Sequence, residues 1–188
     1  MLLNILFIIA ITFQVAVAST AFNINNEQLT INNLQLGKKL MFALVLALGQ
    51  GVMYSFGDLL GGAFMHTVSK FSKWIVFVLC FYIAFRMLIE TMKIRKGANL
   101  YFVETNKQLL LLSIALGVNS FIAGLIAEFL PLFQNLTPCI IMAAAFVWSI
   151  VTMHIPFSKM KLTLNSLLNL IFSAVIAVMG MIYLINNL

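Results

Sequence analysis

The sequence predicts an all-α integral membrane protein whose six transmembrane helices form two inverted three-helix repeats. Three observations lead there. Of the 188 residues 63% are hydrophobic and only 9% charged, too few charges to give a soluble domain its wetted surface. Six apolar runs approach or exceed the roughly 20 residues that cross about 30 Å of hydrocarbon. The basic residues are divided unequally between alternate connections, which assigns each run a direction.

The first run covers residues 1–22. It ends Ala16-Val17-Ala18 before Ser19, which resembles a signal-peptidase site, but Met1 to Phe13 holds no Lys or Arg; the absence of a basic leader favours a retained first span. An Asn-rich polar connection from Asn23 to Gly37 follows. The second run, 39–65, carries Gln50 between Gly49 and Gly51, then Gly57-Asp58-Leu59-Leu60-Gly61. That GxxxG spacing lets a neighbouring helix approach closely. Asp58 is a functional candidate because ionisable groups are costly inside a span, although near the outer end it could face water in a vestibule.

Trp74 opens the third run, 73–93, as an interfacial anchor. Arg86 and Glu90 stand four apart on it, the spacing of an intrahelical ion pair; the expectation is a structural pair near the cytoplasmic interface, with Arg86 snorkelling. Residues 94–107 form a basic cytoplasmic connection. The fourth run, 108–130, carries Asn119 and closes with Glu128 ahead of Pro131. Ser149 lies in the fifth, 136–157, and the sixth covers 162–185. One membrane domain thus uses residues 1–188, with halves at 1–93 and 108–188.

Lys38, Lys39, Lys93, Arg95, Lys96, Lys107, Lys159 and Lys161 fall on one side of the predicted bilayer, and only Lys70 and Lys73 on the other. The first side is cytoplasmic by the positive-inside rule, and both termini lie outside the cytoplasm. The expected location is a bacterial plasma (inner) membrane. The halves then have opposite orientations, the layout of inverted-repeat transporters.

Within that layout Gln14-Val15-Ala16-Val17-Ala18-Ser19 aligns with Asn119-Ser120-Phe121-Ile122-Ala123-Gly124. Each amide lies well inside its span, where it must face protein or a cavity. Inverted repeats bring their first helices together near the midplane, where substrate sites form. Gln14 and Asn119 either line such a site or bond across a helix interface. Gln50, its approximate counterpart Ser149, and Asp58 complete the candidate substrate-binding set.

Other functions find little support. The net charge of +6 resides in the connections and forms no basic face for nucleic acid. Cys80 and Cys139 sit in apolar runs without ligand spacing, and His66 and His154 lack partners at metal-site distances. Asn135-Leu136-Thr137 fits a glycosylation acceptor, fortuitous in so short a connection beside the bilayer. No nucleophile elbow, phosphate loop or paired-carboxylate motif occurs, which argues against an enzyme and against a cofactor.

Lys73-Trp74-Ile75-Val76-Phe77-Val78-Leu79 through Phe85-Arg86-Met87-Leu88-Ile89-Glu90, the position of Gln50, and Ser113 to Gly124 resemble the MntP-type manganese efflux pump family, among the transporters related to lysine exporters. The likeness spans nearly the whole chain, with close identity confined to these patches. It implies a secondary exporter working by alternating access of one half against the other. It also implies Mn²⁺, or another small solute, as the transported partner beside the lipid bilayer.

In that family the first and fourth helices each carry an Asp in a motif of the form Ser-x-Asp-Ala-x-Ala-Val, thought to serve the metal. Here those positions hold Gln14 and Asn119. Mn²⁺ prefers carboxylate oxygens, and a divalent ion about 4 Å from a carboxylate gains roughly 8 kcal/mol at an effective dielectric of about 20. The resemblance therefore implies a degenerate or retuned metal site with no metal ligand assigned. Export of a neutral or organic solute, and a non-transporting membrane scaffold, are the alternatives.

Overall fold

The computed structural model describes residues 2–25, 36–68, 71–95, 106–130, 136–154 and 159–186. They form six helices, α1 (Leu2–Asn25), α2 (Leu36–Val68), α3 (Ser72–Arg95), α4 (Asn106–Leu125), α5 (Thr137–His154) and α6 (Lys159–Asn186). No strand occurs among the described residues. Each helix answers one apolar run. Most of the connections, with Pro131 and Asn135, lie outside the described residues.

Two boundaries differ from expectation. α2 continues to Val68 and so carries His66 within the helix. α4 stops at Leu125, and the chain turns through a short 3-10 helix, Ala127–Phe129, where the amides of Phe129 and Leu130 both reach the Ile126 carbonyl, at 3.1 and 3.2 Å. Glu128 lies on that turn and is exposed. At the start of α5, Thr137-Pro138 places proline in the first turn, where its missing N–H breaks no helical bond.

Five helices are long and apolar enough to cross a membrane; within α1 the described apolar stretch is Asn4–Ser19. α1 carries no charged residue, and every position from Ala10 to Ser19 is buried. A helix that is apolar on all sides is stable only when surrounded, and α1 packs against α4, α5 and α6. Outward faces carry exposed Leu44, Phe56, Phe81, Phe85, Leu111, Val147 and Ile171. These are the surfaces that meet lipid.

α2 runs along α4, α3 along α6, and α5 packs against both α1 and α2. The α2–α4 contact brings backbone against backbone. A Cβ on Gly57 would overlap the Phe121 carbonyl, one on Gly124 the Tyr54 carbonyl, and one on Gly61 would stand 2.6 Å from the Leu125 oxygen. Gly49 meets Ser113, Gly57 meets Phe121 and Gly61 meets Leu125, so partners advance together and the two helices are parallel. The GxxxG is thus a packing device, as small residues in membrane helices commonly are.

The buried apolar side chains separate into layers. Phe7, Ile8, Ala10 and Ile11 of α1 join Tyr54, Ile122, Ala123, Ile126 and Ile141 in one cluster. Val15 and Ala18 join Leu46, Ala47, Leu109, Leu112, Leu116 and Ala145 in another. α1 and α4 therefore traverse the two clusters in opposite directions. Between the clusters, three helices carry a polar residue at the junction: Gln14 on α1, Gln50 on α2 and Asn119 on α4, all essentially inaccessible.

Candidate functional site

The polar junction is built by helices whose apolar neighbours leave the amides no water. A buried amide must find partners in protein, and here it finds them across helices. Asn119 Nδ2 donates to Gln14 Oε1 at 2.7 Å. Gln14 Nε2 donates in turn to Glu90 Oε2. Arg86 Nη1 donates to Asn119 Oδ1 at 2.9 Å, and its Nη2 stands 3.8 Å from Glu90 Oε1. Arg86, Asn119, Gln14 and Glu90 thus close a ring linking α1, α3 and α4.

The guanidinium makes one further bond, from Nη2 to the Ala115 carbonyl at 2.6 Å. Ala115 is exposed, so this end of the ring reaches the accessible edge of the bundle. The ring is formally neutral, one cation against one carboxylate, and each of the four oxygens that the three side chains Gln14, Asn119 and Glu90 supply faces a donor. Such closed networks in a low-dielectric setting are more rigid than their separate bonds.

The amide pair that the sequence singled out is therefore in direct contact. The ion pair is also present, but Arg86 does not snorkel along its own helix to the interface. Its head turns inward because Asn119 Oδ1 and the Ala115 carbonyl offer two acceptors within reach of one planar fork. Sequence reasoning left Arg86 and Glu90 out of the site, although charges inside a span mark functional positions by default.

Gln50 lies in the same layer but in a separate bond, accepting from Ser120 Oγ through its Oε1, while its Nε2 is buried without a partner. Ser149 is displaced from the layer. It pairs with Ser19 at 3.1 Å, and Ser19 is five residues, about 7.5 Å of helix, beyond Gln14. Asp58 is half-buried and lies eight residues, about 12 Å, further along α2 than Gln50; it takes no part in the ring.

A polar stripe on α6 went unread in the sequence. Asn165, Asn169 and Ser173 recur every four residues and are buried. Asn169 Nδ2 donates to Thr91 Oγ1 at 2.9 Å and to the Met87 carbonyl at 3.2 Å; Ser173 Oγ donates to the Ala84 carbonyl at 3.1 Å. Thr91 also donates to Met87, so it keeps a partner if Asn169 is lost. Asn169→Leu is accordingly expected to destabilise the protein by only about 1 kcal/mol, read as a small fall in melting temperature in detergent.

Among the described residues no group of three His, Cys, Asp or Glu side chains gathers where a metal ion could be held. The ring contains one acid. A family model described as "Mntp: Putative manganese efflux pump" matches residues 33–184. The chain belongs to this family. No curated protein and no solved structure matches it. The Mntp match includes Gln50, Arg86, Glu90 and Asn119, whereas Gln14 on α1 precedes it. Mntp is a family of transporters rather than of enzymes, and membrane, transport and manganese efflux describe it.

Proposed function

We infer that the protein is a secondary exporter of a small cation, Mn²⁺ foremost, and that transport passes through the ring of Gln14, Asn119, Arg86 and Glu90. The observation carrying this reading is the ring's position: a charged, hydrogen-bonded cluster between two apolar layers, in a chain of the Mntp family. Polar groups so placed in a membrane bundle mark substrate pathways. Gln50 and Ser120 extend the polar layer toward α2, and Ser19 with Ser149 supplies a further polar step beyond it.

The helix neighbours support two inverted repeats. Exchanging α1 with α4, α2 with α5 and α3 with α6 turns the α1–α5 contact into α4–α2 and the α1–α6 contact into α4–α3, and both members of each pair occur. The opposite traverse of α1 and α4 through the apolar layers agrees with this. With Lys38, Lys93 and Lys107 at the ends that the positive-inside rule calls cytoplasmic, both termini face out of an inner membrane. Asp58 then lies toward the outer end of α2, in position to receive a departing cation.

Neutrality of the ring favours a second reading. With a single acid and an opposing guanidinium, the site suits hydrogen bonding to an uncharged organic solute as well as metal ligation. A divalent ion about 4 Å from that guanidinium would meet roughly 8 kcal/mol of repulsion at an effective dielectric of about 20. An exporter-deficient bacterial strain carrying this chain is expected to regain growth under manganese stress. Absence of rescue, with the protein verified in the membrane, would remove manganese export and leave organic-solute efflux to be measured in vesicles. The double change Gln14→Asp with Asn119→Asp is expected to strengthen Mn²⁺ retention, read by binding in detergent.

A further inference from the structure

The surroundings of the Arg86 head group resemble those of a metal ion more than those of an ordinary ion pair. Three oxygens approach it: a carboxylate of Glu90 at 3.8 Å, a side-chain amide of Asn119 at 2.9 Å and the main-chain carbonyl of Ala115 at 2.6 Å. Carboxylate, amide and carbonyl oxygens are the donor types that hard divalent cations take. Among the described residues Asn119 Oδ1 accepts from Arg86 alone, and the Ala115 carbonyl bonds a side chain from another helix.

Of the guanidinium's three contacts, the one to its counter-ion is the longest. Its contact with Glu90 runs through one nitrogen at the outer limit of an ion pair, whereas the strong geometry is a bidentate fork on one carboxylate. Arg86 is half-buried and Ala115 exposed, so the head lies at the accessible edge of the ring. A long, unbranched stem allows it to move while its Cα stays fixed.

We propose that Arg86 is a tethered stand-in for the transported cation: it occupies the cation's place against Glu90, Asn119 Oδ1 and the Ala115 carbonyl when the carrier is empty, and leaves when the cation enters. This rests on the export reading above and adds its cycle. An empty carrier keeps Glu90 neutralised, which removes the charge penalty on resetting. The arriving ion and the guanidinium compete for the same oxygens, so binding one expels the other and release of the ion is driven by the arginine's return.

The test uses full-length protein purified in detergent, with Mn²⁺ binding followed by the loss of the free-ion electron paramagnetic resonance signal and efflux measured in proteoliposomes. Arg86→Gln is expected to bind Mn²⁺ roughly tenfold more tightly than wild type and to export it more slowly, because the competitor is gone. Added guanidinium should displace Mn²⁺ from this variant. Arg86→Lys retains the charge but not the planar fork; its affinity should fall between the two, and it gives the second reading if Arg86→Gln does not fold.

Wild-type export of Mn²⁺ together with unchanged or weaker binding in both variants would overturn the stand-in role and leave the export reading intact. Absence of both export and binding in wild type and variants alike would overturn both. A gain in affinity that persists when Glu90→Gln is added to Arg86→Gln would place the bound ion elsewhere and also overturn the proposal.

Discussion

Glu90→Leu is expected to destabilise the protein by about 3–5 kcal/mol, because it leaves a cation in the bundle without its counter-charge. Two consequences follow from the ring's connectivity. Arg86 loses its only carboxylate in the ring, and Gln14 Nε2 loses the acceptor it now has in Glu90 Oε2. The leucine supplies neither. Thermal unfolding in detergent should show a melting temperature well below wild type. Adding Arg86→Leu should restore much of the loss, since replacing both members of a partly buried pair by apolar groups is far less costly than removing one. Equal melting of Glu90→Leu and wild type would mean that the carboxylate does not hold the ring together.

The second large effect is expected at Gly57. Its Cα lies against the Phe121 carbonyl, and a Cβ there would overlap main-chain atoms. Main chain of a packed helix yields less readily than a flexible side chain, so Gly57→Val should cost about 3 kcal/mol or more. Gly62 is the internal comparison: among the described residues a Cβ there would meet only Glu128 Oε1, at 3.5 Å. Gly62→Ala should be neutral or stabilise by up to about 1 kcal/mol through helix propensity. Unfolding of the two variants side by side separates close packing from a general intolerance of α2 to substitution. Similar losses in both would argue against the α2–α4 contact as the cause.

Helix positions were legible because their cause is local: an apolar run of sufficient length has few alternatives in a membrane. The fourth apolar run extends past the end of α4 because Ile126, Ala127, Phe129 and Leu130 are apolar, and hydropathy does not register the 3-10 turn. Gln14 and Asn119 were readable as a pair since each is an uncompensated amide within an apolar span. The partners that complete their bonding were harder to place. Arg86 and Glu90 satisfy one another at helical spacing, so the sequence offers a self-sufficient local explanation, and only the approach of α4 to α3 gives the guanidinium other acceptors. Ser149, aligned approximately with Gln50, meets the Ser19 hydroxyl of α1, a partner that its sequence neighbours do not announce.

The stripe on α6 was visible in principle, with Asn165, Asn169 and Ser173 at four-residue intervals. Its role depends on the facing carbonyls of Ala84 and Met87, groups that carry no signature in a sequence. Bonds to main-chain carbonyls need no matching side chain, so on α3 the stripe is answered through Thr91, which accepts from Asn169, and not by a repeated pattern.

The glycine contact between α2 and α4 also bears on how such a molecule can move. In the proposed two-repeat layout these helices belong to different halves, yet their backbones interlock, so a gap between residues 1–93 and 108–188 could open only by prising carbonyls off glycine Cα atoms along a shared keel. Packed interfaces of that kind switch as blocks and do not stretch. Whatever displacement accompanies passage of a solute is expected to carry α2 and α4 as one body, with the swinging parts drawn from both halves and the hinge lying inside each.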